Sequence, residues 1–200
     1  MVNQVPSQLP PVLTQRGLHD LGDAAQALQQ SADALRQQSN LLEDFTLDEL
    51  ATLGAAMRRV EAAPDQVLIE EGEAGDWMLL ILQGTVDVTK QIMRQDAQGQ
   101  STGVPLEVSR LAVVRAGASL GEMSMLDSEP RNARCTAIDA VQAAILTRAA
   151  VGQLIRNHPA VGAKLLVKIT QLLAQRLRNT SAQLVKAVVD RKQRELFKPS

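Results

Sequence analysis

The 200-residue sequence predicts an α+β protein in which an all-β middle is flanked by helices at both ends. Three observations carry that prediction. Apolar residues recur with a helical period before Arg59 and again after Thr147. Between Val67 and Leu146, short β-type runs alternate with turn residues. Apolar residues make up 45% of the chain and charged residues 22%, the balance of a chain that buries a core.

Residues 1–17 are polar, carry three prolines and show no period, so they are expected to form a loose tail. Leu18, Leu21, Ala25, Leu28, Ala32, Leu35 and Leu42 follow at spacings of 3, 4, 3, 4, 3 and 7, which predicts one amphipathic helix over residues 18–40. That seam packs either on its own domain or against a second copy. Thr46 and Glu49 form a capping-box pair opening a second helix through Arg59, with Leu50, Leu53 and Met57 facing inward.

Past Pro64-Asp65 the strands begin: Val67-Leu68-Ile69, Met78 to Leu82, Thr85 to Thr89, Val108 to Val114 and Val141 to Leu146. Turn residues at Glu71-Gly72, Gly75-Asp76, Gln83-Gly84 and Ala116-Gly117 separate them, which is the pattern of a sandwich or barrel. The polar stretch Gln95 to Gly103 predicts a long hairpin tip. A short helix near Ala149 to Asn157 stops at Pro159. A long one runs from about Ala160 to Leu196, with Leu166, Ile169, Leu173, Leu177, Thr180, Leu184 and Val188 along one stripe.

Composition excludes several classes. Phe45, Trp77 and Phe197 are the only aromatics, too few for a platform that stacks single-stranded nucleic acid. The longest strongly apolar run, Met78 to Leu82, is far too short to cross a bilayer, and the first residues lack a signal-peptide pattern. Cys135 is the single cysteine, so no internal disulfide forms. A soluble, cytoplasmic protein is expected. The sequence holds no phosphate-binding lysine loop, no dinucleotide fingerprint and no metal-spaced Cys/His cluster, so no metal, no cofactor and no catalysis are expected. Cys135 falls at a strand position and is expected to be a small buried hydrophobe.

The formal net charge of -1 hides a polarity along the chain. Residues 1–100 hold 6 basic against 15 acidic side chains, and residues 101–200 hold 15 against 7. Ten of the basic residues lie within 156–200. Such a helix either contacts phosphates or an acidic partner, or neutralises the acidic half of its own chain.

The segment Gly121-Glu122-Met123-Ser124-Met125-Leu126-Asp127-Ser128-Glu129-Pro130-Arg131-Asn132-Ala133 carries the chemistry. A glycine lets backbone approach a ligand closely. A short helical turn beginning near Met123 aims free N–H groups at an anion. Arg131 can grip a phosphate with two prongs, and Glu122 can accept a hydrogen bond from a sugar hydroxyl. These parts suit a phosphorylated sugar; the plainer alternative is a Glu122–Arg131 ion pair that stabilises a turn.

This segment resembles the phosphate-binding cassette of the cyclic nucleotide-binding domain family. Leu41-Leu42 through Phe45, Glu71-Gly72 with Gly75-Asp76, Gln83-Gly84-Thr85-Val86-Asp87-Val88 and Arg156-Asn157-His158-Pro159 resemble further family motifs, in order, over residues 41–185. The resemblance implies an antiparallel β-roll of jelly-roll type with N-terminal helices and a long C-terminal helix. Its domain would span residues 41–159, with residues 160–200 as a basic lid and dimerisation helix. It implies that Glu122 accepts the ribose 2′-hydroxyl and Arg131 holds the cyclic phosphate. Gly121, Met123, Ser124 and Asn132 would offer N–H groups or shape, and Ala133 would keep the floor small. Asn132 stands where the family often has Ser, Thr or Ala, which leaves cAMP against cGMP open.

Ala174 to Ser181 is similar to the long helix of catabolite-activator-type regulators, and by that resemblance Thr180 and Ser181 would contact the base across a homodimer. The plainer reading is two polar residues that interrupt a helix seam. Nothing up to Ser200 resembles a recognition helix, so a sensor without the DNA-reading half is expected, and DNA is not an expected partner. Three readings remain: a sensor of cAMP or cGMP that repositions its C-terminal helix, a non-catalytic scaffold with an empty pocket, and a nucleic-acid binder acting through the basic helix. A cyclic dinucleotide ligand also fits the sequence.

Overall fold

The computed structural model describes residues 8–96, 98 and 101–196. The strand-forming middle folds into two antiparallel sheets. The strands, in chain order, are β1 (His19–Asp23), β2 (Arg58–Ala62), β3 (Val67–Ile69), β4 (Trp77–Gln83), β5 (Thr85–Gln95), β6 (Ser101–Arg115), β7 (Ser119–Leu120), β8 (Arg134–Ala137) and β9 (Val141–Thr147). One sheet has the order β1-β2-β9-β4-β7 and the other β3-β8-β5-β6. Helices α1 (Pro11–Gln15), α2 (Ala25–Gln30), α3 (Ala32–Gln38) and α4 (Leu47–Ala55) precede the roll. The cassette helix α5 (Glu122–Asp127) interrupts it, and α6 (Arg148–Asn157) and α7 (Pro159–Leu196) follow it.

The apolar run at Met78 to Ile81 is continuous because β4 is buried on both faces. Leu79 and Ile81 point into the roll with Val60, Leu68, Val86, Ala137 and Ile145. Met78 and Leu80 point the other way, onto Leu28, Leu42, Phe45, Leu53, Leu154 and Ile169 of the helices. A strand has a side-chain period of two, so such a position must be apolar throughout. The five-stranded sheet thus separates a roll interior from a helical layer, and each is a core of its own.

The capping box forms as the spacing implies. Thr46 Oγ1 accepts from the Glu49 amide at 3.2 Å, and the Glu49 carboxylate accepts from the Thr46 amide at 2.8 Å. The helix ends at Ala55 rather than Arg59, because residues 58–62 are drawn into an antiparallel ladder with β9. The expected single helix over 18–40 is replaced by β1, α2 and α3. Gly22 has φ +91°, outside the helical region, and Leu18 turns into the roll while Leu28, Ala32, Leu35 and Leu42 enter the helical layer. Except for Leu21, the seam's leucines are buried within their own chain.

Residues 8–17 also depart from the loose tail expected, whose first seven residues lie outside the described part. Pro11 opens α1, and Leu13 is fully buried in the roll with Leu18. Three close apolar residues, Leu9, Val12 and Leu13, were masked by the prolines around them. The hairpin tip expected at Gln95 to Gly103 is shorter, since β5 and β6 extend as paired strands to Gln95 and Ser101. Residues 97, 99 and 100 of that tip lie outside the described part. The outer part of the hairpin leaves Val104, Leu106, Val108 and Leu111 exposed, and its register shifts at three places.

The charge polarity is spent partly inside the chain. On α7, Lys164 pairs with Glu49 at 2.7 Å, and Lys168 pairs with Glu43 at 2.8 Å and with Asp44. Among the described residues, no helix is long and apolar enough to cross a membrane.

Replacing Leu13 tests whether the N-terminal segment is part of the core. Leu13→Ala should lower unfolding free energy by about 2–5 kcal/mol, as for other buried leucines, measured by urea denaturation. A loose segment would leave the midpoint unchanged.

Candidate ligand-binding site

A cavity of about 500 Å³, a size usual for small-molecule sites, opens between the cassette, the four-stranded sheet and α7. Gly121, Glu122, Met123, Ser124, Arg131, Asn132 and Ala133 all line it. Gly121 adopts φ +80°, which turns the chain from β7 into α5. The first amides of α5 have no carbonyl one turn back, so they remain free to meet an anion. At the other end of α5, Arg148 donates to the carbonyls of Ser124 and Met125 and to the Ser128 hydroxyl, which holds the short helix in place.

Arg131 is 3% exposed. Its Nη1 donates to the Gly121 carbonyl at 2.8 Å and its Nη2 to the Trp77 carbonyl at 2.7 Å, while the guanidinium lies 4.3 Å from the centre of the Trp77 ring. Room for it is made by two glycines. A Cβ at Gly75 would come within 2.4 Å of Nη2, and one at Gly121 within 2.5 Å of Nη1. Burial pulls the Arg131 pKa below its ordinary value, and the nearby charges of Glu73, Asp76 and Glu122 push it back; an arginine stays protonated throughout. Its Nε is buried and has no hydrogen-bond partner.

Glu122 is 1% exposed. One oxygen, Oε1, pairs with Arg176 Nη1, and Arg176 Nη2 also donates to the Ser119 carbonyl at 2.6 Å. The second oxygen, Oε2, is buried without a partner. Arg131 and Glu122 both line the cavity, and each keeps one buried side-chain atom without a hydrogen-bond partner, a cationic donor and an anionic acceptor, besides the free amides. That set complements a ligand carrying both an anionic oxygen and a hydroxyl. The plainer alternative, a direct Glu122–Arg131 ion pair, does not form; Glu122 pairs with Arg176 instead.

The remaining candidates are placed as follows. The Asn132 side chain is held by Lys90, which donates both to its Oδ1 and to its main-chain carbonyl. Thr180 and Ser181 lie one helical turn beyond Arg176 on α7, exposed and outside the cavity lining. Cys135 lines the cavity but is buried, and desolvation pushes its thiol up to about 12. Sequence reasoning missed Arg176 and Trp77. Arg176 stands four residues before Thr180, hence on the same helix face, and that spacing was a usable sign. Nothing in the sequence pairs Trp77 with Arg131 across 54 positions.

A cassette of this make on an antiparallel roll is the mark of cyclic nucleotide-binding domains. The family model of that name, described as the cyclic nucleotide-binding domain, matches residues 59–158, and the chain belongs to this family. A cyclic nucleotide-binding domain from Methylobacillus flagellatus is 34% identical, with a TM-score of 0.70, over 85% of this chain and 89% of that one. The catabolite activator protein of Thermus thermophilus is similar in fold, at 24% identity and TM-score 0.61, over 75% of this chain and 63% of that one. A CRP-like cAMP-activated global transcriptional regulator of Mycobacterium tuberculosis is 26% identical over 152 residues, 76% of this chain. The matched region spans 61% of that regulator's length.

Two outcomes follow from the geometry. Gly75→Ala should dislodge the Arg131 guanidinium, shifting the emission of the sole tryptophan and lowering stability by about 1–3 kcal/mol. Fluorescence-monitored unfolding reads both. The folded-state pKa of Cys135 lies above its ordinary 9.0, so the unfolded chain loses that proton first and stability falls as pH rises from about 9 towards about 12. The steepest loss from this group is about 1.4 kcal/mol per pH unit. Cys135→Ala should remove that component from the pH dependence of the urea midpoint, and an unchanged difference between the two proteins would contradict the assignment.

Proposed function

We propose that this protein is a cyclic-nucleotide-responsive regulatory protein in which α7 reports the occupancy of the cavity. The observation that carries the reading is the pair of unpartnered buried atoms, Arg131 Nε and Glu122 Oε2, beside the free amides of α5. In this reading Arg131 and the amides of Met123 and Ser124 hold the cyclic phosphate, and Glu122 accepts the ribose 2′-hydroxyl. The ligand is cAMP or cGMP. The relatives described as cAMP-activated or as cyclic nucleotide-binding support the ligand class.

Glu122 is also the anchor of Arg176, so a hydroxyl that engages the carboxylate acts on the same group that holds α7. Ligand then shifts the helix to the extent that it binds one arrangement better than the other. Beyond Arg176 the helix exposes Leu177, Leu184 and Val188 at spacings of 7 and 4, a seam for pairing with a second copy. Thr180 lies on that seam with Ser181 beside it, where a dimer would bring both towards the base. In this reading the protein acts without catalysis, in the cytoplasm.

One observation favours a second reading. Arg131 spends two of its nitrogens and its flat face on packing, so the cassette has a structural use even without a ligand. That reading makes the chain a scaffold.

Calorimetric titration with cAMP, cGMP and cyclic di-GMP separates the two. We expect micromolar or tighter binding of one mononucleotide, weakened at least a hundredfold in Arg131→Ala and Glu122→Ala, since each loses a charge-assisted contact worth about 1.5–3 kcal/mol plus the buried partner it leaves. No heat with any of the three, from folded protein free of co-purified nucleotide, would establish the scaffold reading instead.

A further inference from the structure

The segment ahead of the family-matched region does more than fill the roll. Arg16, just after α1, reaches the turn between β3 and β4. Its Nη1 donates to the Leu68 carbonyl at 3.2 Å and to Glu73 Oε1 at 3.1 Å, and its Nη2 pairs with Glu73 Oε2, a two-pronged grip on the carboxylate. Both side chains are about four-fifths buried. Glu73 Oε1 also accepts from the Glu70 amide at 3.0 Å, so the carboxylate shapes its own turn.

That turn is clamped to Arg131 by main chain. The Arg131 amide donates to the Glu73 carbonyl at 2.8 Å, and the Gly72 amide donates to the Arg131 carbonyl at 2.8 Å. Gly75, in the same turn, provides the space that the Arg131 guanidinium occupies. Of the carboxylates acting on Arg131, Glu73 acts most strongly. An unneutralised Glu73 would compete with any anionic ligand for that guanidinium and would free the turn to shift. Leu13 and Leu18 fix the arginine's own position by burying their side chains in the core that contains Trp77.

We propose that Arg16 is a positioning residue of the anion site, holding Glu73 so that Arg131 keeps both its place over Trp77 and its charge for the ligand. The inference rests on Arg131 being the phosphate-holding group proposed above. It assigns a role to a stretch of chain that lies outside residues 59–158.

Two readouts test it, on the full chain. The first uses cAMP and cGMP in calorimetric titrations. Arg16→Met keeps the aliphatic stem and removes the charge, and should weaken binding about tenfold, as expected of one unbalanced charge several ångströms from the phosphate. Adding Glu73→Gln to Arg16→Met should bring affinity back to within about twofold of the parent, and Arg16→Lys should rescue in part. The second readout needs no ligand. The Arg131 Nε–H, buried and assignable by comparison with Arg131→Lys, should move in the nitrogen–proton NMR spectrum of Arg16→Met and return in the double variant. A lower melting temperature in Arg16→Met with parental affinity and an unmoved Arg131 signal would reduce Arg16 to a tether and overturn the proposal. If the parent binds no nucleotide, the functional reading fails, and the NMR arm alone decides whether Arg16 positions Arg131.

Discussion

A guanidinium withdrawn almost wholly from water is the constraint around which the roll is arranged. Burying an unpaired cation costs far more than the net stability of a domain of this size, so Arg131 needs compensation from several directions at once. It receives two carbonyl oxygens, an aromatic face and the field of three carboxylates. Each provision fixes something else. The carbonyls set the spacing between the cassette and the first residue of β4. The ring must lie in the roll core against the guanidinium, and the turn between β3 and β4 must carry glycine where the guanidinium passes. Removing the charge would therefore disturb the cassette, β4 and that turn together, because all three are built to meet it.

A second charge, Glu122, plays the opposite part. It is equally buried and only half satisfied, and its one ion-pair partner comes from α7 rather than from the roll. The long helix is thus fastened at two levels. Lys164 and Lys168 tie it to the acidic residues around α4, and Arg176 ties it to the cavity wall. The first ties are partly solvated and individually weak. In the second the carboxylate is the buried member while Arg176 stays two-fifths exposed, so losing the pair would leave Glu122 without its cation. Val161, Leu165 and Ile169 bury the first half of the helix in the helical layer, and farther along Arg176 shares its acceptor with the cavity.

The middle of the chain was readable because its rules are local. Glycines at Gly84, Gly117 and Gly121 mark turns with positive φ, strand runs alternate between them, and Thr46 with Glu49 announces a helix start. The cassette residues from Gly121 to Ala133 come together because they are contiguous. What could not be read depends on distance in sequence. The Leu18 to Leu42 spacings fit a single helix, but the two ends of that seam are claimed by different cores, and the pairing of β1 with β2 outweighs the period. Trp77 and Arg176 reach the cassette from 54 and 45 positions away when counted to Arg131, Arg16 meets Glu73 from 57 positions away, and no short-range pattern announces such meetings. Thr180 and Ser181 were legible only by resemblance, and in the single chain they remain outside the cavity.

The β5–β6 hairpin carries a greasy ribbon on the surface, and its ladder is built against pairing with another edge. An uncovered strand edge offers its free amides and carbonyls to any passing strand, and apolar side chains make the invitation stronger. Here the ribbon is irregular: the pairing slips at three places, and each slip bends and twists the strand away from the flat form that stacks. Pro105 removes one amide outright, and Glu107 and Arg110 place opposite charges within the apolar stretch. Smoothing those kinks would lengthen an orderly template and favour fibrous association of whole molecules, so the irregularity that disfigures the ladder also works against edge-to-edge pairing.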